Sequence, residues 1–236
     1  GTFKGDEVRI LTILYDQATE NTVEPVVIAM SSAFNAFPAQ AASPPPRRTV
    51  DYGTGVVVST DGAIVTDRDV TDGCIALTIP NLGHADRIAE DKEHGLALLR
   101  VYGVRGLKPL ALSGSARSNL DIVGIADPQS QGGAAAVTRV KAQTAALGGG
   151  ADSALTPPPA FGFSGAAAVD ADGKFSGLVL LRQAVIAGAA TAVASTQAVL
   201  VPADTVRTFV TGHGVISDGQ SPDAQAAAVR VICVRK

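Results

Sequence analysis

A serine set between glycines is the residue with the clearest potential for chemistry. The segment Gly162-Phe163-Ser164-Gly165-Ala166 lies on a turn just before an apolar run. Glycine permits a tight turn, so that a hydroxyl and nearby backbone N–H groups can converge on one point. Such a point suits nucleophilic chemistry, but serines beside glycines are also common in plain turns. The elements around Ser164 therefore decide between the two interpretations.

Short strand-like runs predict these elements. Gly55–Ser59 and Ala63–Thr66 flank an Asp-Gly turn, which is a hairpin signal. Further runs of this kind follow, most of them bounded by Gly, Pro, Asp or Asn: Cys74–Ile79, Gly95–Val101, Leu120–Ala126, Val137–Ala146, Gly165–Val169, Phe175–Leu181 and Ala192–Val201. Many short strands with little helical periodicity predict an all-β sandwich or barrel. Near the end, Pro202–Val210 is predicted to be a helix that stops at Gly212.

Composition excludes several classes of function. With 236 residues, of which 46% are hydrophobic, the chain can bury a sizeable core. With a formal net charge of −3, the chain lacks the excess of basic residues that nucleic-acid binding needs, so no nucleic-acid partner is expected. Apolar runs such as Ala184–Ala194 are shorter than the roughly 18 residues that a membrane-spanning helix needs, and none is expected.

The cysteines and histidines are few. Cys74 and Cys233 either form one disulfide, which would imply an oxidising compartment, or are two unrelated buried thiols. His84, His94 and His213 show no metal-ligand spacing with them, so neither a metal nor another cofactor is expected.

The beginning of the chain is less regular. Residues 1–38 contain two apolar runs, Val8–Tyr15 and Pro25–Met30, each either a strand or a short helix. Ala39–Arg48 contains three consecutive prolines, which predict an extended linker. Residues 1–47 either complete a first barrel or belong to a neighbouring module. Because the sequence starts at Gly1 and not at Met, a secretion signal is not expected to be in view.

An ordered set of segments resembles trypsin-like serine proteases of the bacterial HtrA type. The resemblance covers roughly residues 50 to 212, and it rests on the order of the segments more than on any one of them. The matching segments are Gly53–Thr66, Lys92–Val101, Leu110–Gly114 with Asp121–Ala126, Gly162–Ala166, Val169–Gly177 and Val199–Val206.

The resemblance implies two six-stranded antiparallel β-barrels with a short C-terminal helix and a tail strand. Residues 1–47 would form the N-terminal segment and linker. The first barrel would span residues 48–116, the second barrel with its closing helix 117–212, and the tail 213–236. Ala228–Val234 in the tail is predicted to be a final strand, which Cys233 could anchor through Cys74.

Three positions of this chain match the family's catalytic residues. The stretch Thr66-Asp67-Arg68-Asp69-Val70 matches the family's Thr-Asn-x-His-Val, so Asp69 stands at the histidine position. Gly95 stands at the aspartate position, and only the nucleophile, Ser164, is kept. The resemblance also implies an oxyanion hole formed by the backbone N–H groups of Gly162 and Ser164.

The missing histidine has no obvious substitute. A carboxylate at residue 69 is a weaker base than an imidazole. His94 is next to Gly95, but adjacent side chains of a strand point to opposite faces. His84 is predicted to lie in a turn and His213 to follow the closing helix, and all three histidines are expected on the surface.

A pocket for substrate side chains can also be placed by the resemblance. Leu178, Val179 and Leu180 would line one wall, with Ala160 and Phe161 near the base. The alternative is that these residues belong to the core of the last strands.

The sequence therefore predicts a catalytically degenerate trypsin-like domain that acts as a peptide- or protein-binding or regulatory module, periplasmic or secreted. One alternative is an active serine endopeptidase that uses Ser164 with a relocated or intermolecular base. Another is a structural spacer without a ligand.

Overall fold

The computed structural model divides the chain into two compact units, residues 1–47 and 48–236. The structure describes residues 1–37, 48–113, 117–130, 136–146, 152–183, 196–219 and 221–235. Most of the predicted linker Ala39–Arg48 and the apolar run Ala184–Ala194 lie outside the described residues.

The first unit consists of a hairpin and a helix. Strands β1 (Thr2–Lys4) and β2 (Glu7–Arg9) pair antiparallel, and a 3₁₀ turn (Gln17–Thr19) leads into α1 (Glu20–Ala33). The apolar run that begins at Pro25 is therefore helical. Among the described residues, none of the helices is both long and apolar enough to cross a membrane.

The second unit begins with the elements of a seven-stranded antiparallel sheet. Its first members in chain order are β3 (Thr49–Val57), β4 (Ala63–Asp67), the short helix α2 (Arg68–Thr71), β5 (Cys74–Ile79), β6 (Gly83–His84), β7 (Asp86–Asp91) and β8 (Leu96–Arg100). The side chains of β4 are buried throughout, and it pairs with β3 and β8. The predicted Asp-Gly hairpin is the β3–β4 connection, where Gly62 takes φ +94°.

A closed six-stranded barrel follows. Its strands are β9 (Asn119–Ile125), β10 (Val137–Ala146), β11 (Ser153–Thr156), β12 (Ala167–Val169), β13 (Phe175–Gln183) and β14 (Thr196–Pro202). The chain then forms α3 (Ala203–Gly212), α4 (Ala224–Ala227) and β15 (Ala228–Arg235). Helix α3 buries Val206, Phe209 and Val210, as its sequence periodicity predicts.

The last strand returns to the first sheet. The strand order there is β6-β5-β15-β3-β4-β8-β7, so β15 lies between two strands that precede it by well over a hundred residues. A disulfide joins Cys233 of β15 to Cys74 of β5, with a Cα–Cα distance of 5.4 Å. The predicted disulfide and tail strand are therefore both present.

The prediction of a trypsin-like double-barrel fold is confirmed, with one difference in detail. The first half is a seven-stranded sheet completed by β15, where six strands closed into a barrel were expected. A core cluster that includes Ile64, Leu98, Leu178 and Val231 extends through both halves. This shared core packs β4 of the first half against β13 of the second.

Candidate active site

Ser164 lies between the two halves at the end of a 3₁₀ turn, Phe161–Phe163, and its side chain is almost fully buried. The turn is held by the first sheet, because Thr54 donates its hydroxyl to the Gly162 carbonyl at 2.8 Å. The Thr54 N–H donates to the Ser164 carbonyl at 2.9 Å. Gly165 takes φ +84°, and a Cβ at this position would overlap the Thr54 carbonyl. Glycine at residue 165 is thus required by both conformation and space.

The Ser164 hydroxyl donates a hydrogen bond to the carboxylate of Asp67, which is completely buried. Asp67 is the N-cap of α2, and its Oδ1 accepts the Asp69 N–H at 3.0 Å. Its Oδ2 also accepts from Nη1 of Arg182 at 2.8 Å. Three donors therefore satisfy this carboxylate, as a buried charge requires.

Arg182 reaches from β13 to the first sheet. Besides Asp67, its Nη1 lies 3.2 Å from Oδ2 of Asp69 and 3.2 Å from the carbonyl oxygen of Leu181. Gly95 takes φ +68°, and a Cβ at residue 95 would overlap Nη2 of Arg182. The guanidinium therefore occupies the space in which a side chain at the family's aspartate position would begin.

Asp69, at the family's histidine position, does not take part in the serine's hydrogen bond. Its half-exposed carboxylate pairs with Arg68 at 3.3 Å through Oδ1 and with Arg182 at 3.2 Å through Oδ2. In the part of the chain that the structure describes, no hydrogen bond joins Asp69 to Ser164. The carboxylate that contacts the serine is that of Asp67, two residues earlier.

The backbone donors of the expected oxyanion hole are arranged differently from the expectation. The N–H of Ser164 donates to the Phe161 carbonyl at 3.0 Å, within the 3₁₀ turn. In this conformation it cannot donate to a substrate oxygen. Gly162 is closely packed, since a Cβ there would overlap the carbonyl oxygens of Ile125 and Ala126.

The three histidines have other partners. Nδ1 of His94 lies 2.7 Å from Asp91, and this hydrogen bond raises the pKa of His94 above its usual value. His213 donates Nδ1–H to the Phe209 carbonyl at 2.8 Å, and exposed His84 lies 3.3 Å from Asp86. In the described part of the chain, none of these rings has a hydrogen bond to Ser164.

The residues expected to line a pocket are mostly buried. Leu178 and Leu180 belong to the core shared by the two halves, and Val179 belongs to the core of the closed barrel. Fully buried side chains do not line open space in this conformation. Phe161, by contrast, is 54% exposed. Ala160 is also exposed.

Asp67 and Arg182 were not singled out from the sequence. Asp67 stands where the family motif has asparagine, and this exchange of an amide for a carboxylate was the available signal. Arg182 directly follows the apolar strand segment Leu178–Leu181, where a cation requires a partner. The partner lies 115 positions earlier in the chain, so the pairing had no local signal.

The chemistry open to this arrangement is limited. Ser164 has a carboxylate as its acceptor in place of an imidazole, and that carboxylate is shared with a cation. Within the described residues, no group of three or more His, Cys, Asp or Glu side chains could hold a metal ion.

Comparisons with known proteins agree with the fold. The structure is similar to the apo form of the MamO protease domain from Magnetospirillum magneticum, with a TM-score of 0.51 and 16% identity over 70% of this chain and 96% of that one. It is also similar to the serine endoprotease from Yersinia pestis, with a TM-score of 0.51 and 18% identity over 71% of this chain and 62% of that one.

Sequence comparison identifies the family. No curated protein sequence matches the chain. The family model described as a trypsin-like peptidase domain matches residues 53–178, which is more than half of the 236 residues. The chain therefore belongs to the trypsin-like peptidase family.

Proposed function

We propose that this chain is a catalytically degenerate trypsin-like domain that acts outside the cytoplasm as a peptide- or protein-binding module. The observation that carries the proposal is the arrangement of Ser164, Asp67 and Arg182. The Ser164 hydroxyl donates its hydrogen bond to the buried carboxylate of Asp67. The guanidinium of Arg182, which also bonds Asp67, fills the space in which the side chain of the family's aspartate would begin.

The energetic argument concerns the missing base. Loss of the nucleophile–base unit of a triad enzyme lowers kcat by about 10⁶-fold, which corresponds to roughly 8 kcal/mol of transition-state stabilisation. A carboxylate is a far weaker base than imidazole, and the Asp67 oxygen that accepts from Ser164 is shared with the guanidinium of Arg182. The second contribution, an oxyanion hole, is also incomplete because the Ser164 N–H is bonded to Phe161.

The fold retains a feature that suits peptide binding. Strand β13 pairs with β14 from Gly177 to Gln183, whereas its pairing with β12 ends at Leu178. Beyond Leu178 the same edge lies beside Ser164. Val179 bonds Gly165 and Ala166 there, and the Leu181 N–H donates to Oγ of Ser164 at 3.3 Å, so a peptide would pair with this edge by displacing these bonds. Proteins commonly bind extended peptides by adding them as a strand to such an edge, which needs no catalytic chemistry.

The disulfide supports the proposed location. Disulfides persist in oxidising compartments, such as the periplasm or the extracellular space, and are rare in the bacterial cytosol. The Cys74–Cys233 disulfide joins two neighbouring strands of the first sheet. A structural disulfide of this kind is expected in a protein of such an oxidising compartment.

Two measurements on the purified chain test the proposal. Cleavage of an unstructured protein, β-casein, should remain at the background set by the matched Ser164→Ala variant. Binding of randomised extended peptides should be detectable in the same samples. Robust cleavage that Ser164→Ala abolishes would contradict the degenerate assignment. Absence of binding to every peptide pool would favour a spacer without a ligand.

A further inference from the structure

A cavity of about 420 Å³ in the second unit is separate from the residues around Ser164. The first sheet contributes Val57 and Val229 to its walls, and the closed barrel contributes Ile125. Leu82, in the turn that joins β5 to β6, and Leu107, in the loop that follows β8, are further apolar lining residues. A mostly apolar cavity of this volume is typical of a site for a small molecule.

Positive charge is concentrated at this cavity. Its ionisable lining residues, Lys108 and Arg230, are both cations, although the whole chain has a formal net charge of −3. Lys108 is exposed, and in the part of the chain that the structure describes it has neither an ion pair nor a side-chain hydrogen bond. Arg230 likewise has no carboxylate partner among the described residues. The cavity therefore has two positive charges that no anion of the described chain neutralises.

The guanidinium of Arg230 is held in place but is incompletely bonded. Its Nη2 donates to the Gln129 carbonyl at 3.0 Å, and its Cζ lies 4.9 Å from the centre of the Tyr52 ring. Its Nε is buried and has no hydrogen-bond acceptor among the described residues. Arg235, on the same strand, instead has its Nε 3.1 Å from a carboxylate oxygen of Asp51. Buried polar groups are nearly always paired, so Arg230 lacks both an acceptor and a counter-charge.

We propose that this cavity binds a small carboxylic acid with an aliphatic chain. The carboxylate accepts charge-assisted hydrogen bonds from Lys108 and Arg230, and the chain packs against the apolar walls. An inorganic anion would leave these walls uncovered, and a neutral apolar molecule would leave the two cations without a counter-charge. A ligand that is both anionic and apolar complements both parts of the cavity. This inference is independent of the proposed peptide binding.

The test uses octanoate and its neutral isostere octanamide as probes, and binding to the whole chain is measured by isothermal titration calorimetry. We expect octanoate to bind about tenfold or more tightly than octanamide, because the anion accepts charge-assisted hydrogen bonds from both cations. Hexanoate and decanoate extend the range of chain lengths. Equal affinity for octanoate and octanamide overturns the inference, and so does the failure of all three carboxylates to bind.

Two matched variants locate the binding site. Lys108→Met removes one cation of the cavity at an exposed position, where the fold tolerates the change. Arg105→Met makes the same change of charge at an exposed residue of the same loop that does not line the cavity. We expect Lys108→Met to weaken octanoate binding about tenfold and to leave octanamide binding unchanged, whereas Arg105→Met should change neither.

Equal weakening by the two variants would show a response to general surface charge, and it overturns the inference. Arg230→Met should also weaken octanoate binding. If this variant does not fold, the comparison of Lys108→Met with Arg105→Met decides the question alone. Undiminished octanoate affinity in Lys108→Met overturns the inference as well.

Discussion

The guanidinium of Arg182 lies where a side chain on residue 95 would begin. A Cβ at Gly95 would overlap Nη2 of Arg182, and Nη1 of the same group bonds Asp67 at 2.8 Å. Gly95 lies in the turn that precedes β8 of the first half, and Arg182 lies on β13 of the second. Because residue 95 has no side chain, the guanidinium of Arg182 can fill that volume. The residue types at positions 95 and 182 are therefore coupled.

This coupling predicts that restoring the triad sequence alone does not restore activity. The variant Asp69→His with Gly95→Asp should cleave β-casein no faster than the same variant carrying Ser164→Ala. The new aspartate would meet the Arg182 guanidinium and pair with it instead of with residue 69, and Ser164 would keep its bond to Asp67. The positive φ of residue 95 adds a cost of about 1 kcal/mol for a non-glycine residue. Serine-dependent cleavage by the restored variant would contradict this prediction.

A second prediction concerns the ion pair between the halves. Arg182→Met should lower the free energy of unfolding by about 3 kcal/mol, near the low end for a broken buried pair because Arg182 is partly exposed. The double variant with Asp67→Asn should lose less than the sum of the two single changes, since the buried charge is then absent. Urea unfolding of the wild type and the three variants gives the coupling energy. Strict additivity would show that the pair has no energetic role.

A third prediction concerns the disulfide. Replacing both cysteines, Cys74→Ser with Cys233→Ser, should lower the free energy of unfolding by about 3 to 5 kcal/mol, because the bond closes a very long loop of the unfolded chain. It also ties β15 between β3 and β5. Denaturant unfolding with and without reductant checks this. Reductant should destabilise the wild type and leave the double variant unchanged, and an unchanged wild type would contradict the prediction.

A fourth prediction concerns pH. The hydrogen bond to Asp91 raises the pKa of His94 from its usual 6.5. The stabilisation from the charged ring is therefore complete below 6.5 and is lost as the pH rises through the raised pKa. Burial alone would raise the pKa of Asp91, but hydrogen bonds from His94 outweigh it and lower that pKa below 3.8, so the carboxylate's contribution persists until the pH falls into that range.

The measurement is a pair of pH profiles. At a pH just below 6.5 the wild type should have a higher Tm than His94→Gln. At a pH well above 6.5 this difference in Tm should be smaller. Its size should correspond to less than about 1 kcal/mol, because the ring is partly exposed and solvent screens the pair. A difference that grows with pH would show that the sign is wrong.

Local sequence patterns predicted a large part of this molecule. The β3–β4 hairpin follows from the Asp-Gly turn, helix α3 from its apolar face, and the sharp turn at Ser164 from its glycines. These features depend on neighbouring residues, whose spacing and conformational preferences are visible in a sequence.

The remaining features depend on residues far apart in the chain. The insertion of β15 between β3 and β5 was not predicted, because any apolar strand can pair with several partners. The ion pair of Asp67 and Arg182 was missed because sequence separation contains no information on which charges meet in the interior. The open choice between one disulfide and two thiols was likewise decided by the proximity of β5 and β15.

The central claim is that Ser164 lacks an activated hydroxyl. Intact-mass detection of a fluorophosphonate adduct tests it most directly, because a stable covalent label requires an activated serine. The account predicts no adduct on the wild type, as on Ser164→Ala, under conditions that label an active serine endoprotease completely. An adduct on the wild type that Ser164→Ala abolishes would contradict the account and establish a functional base beside Ser164.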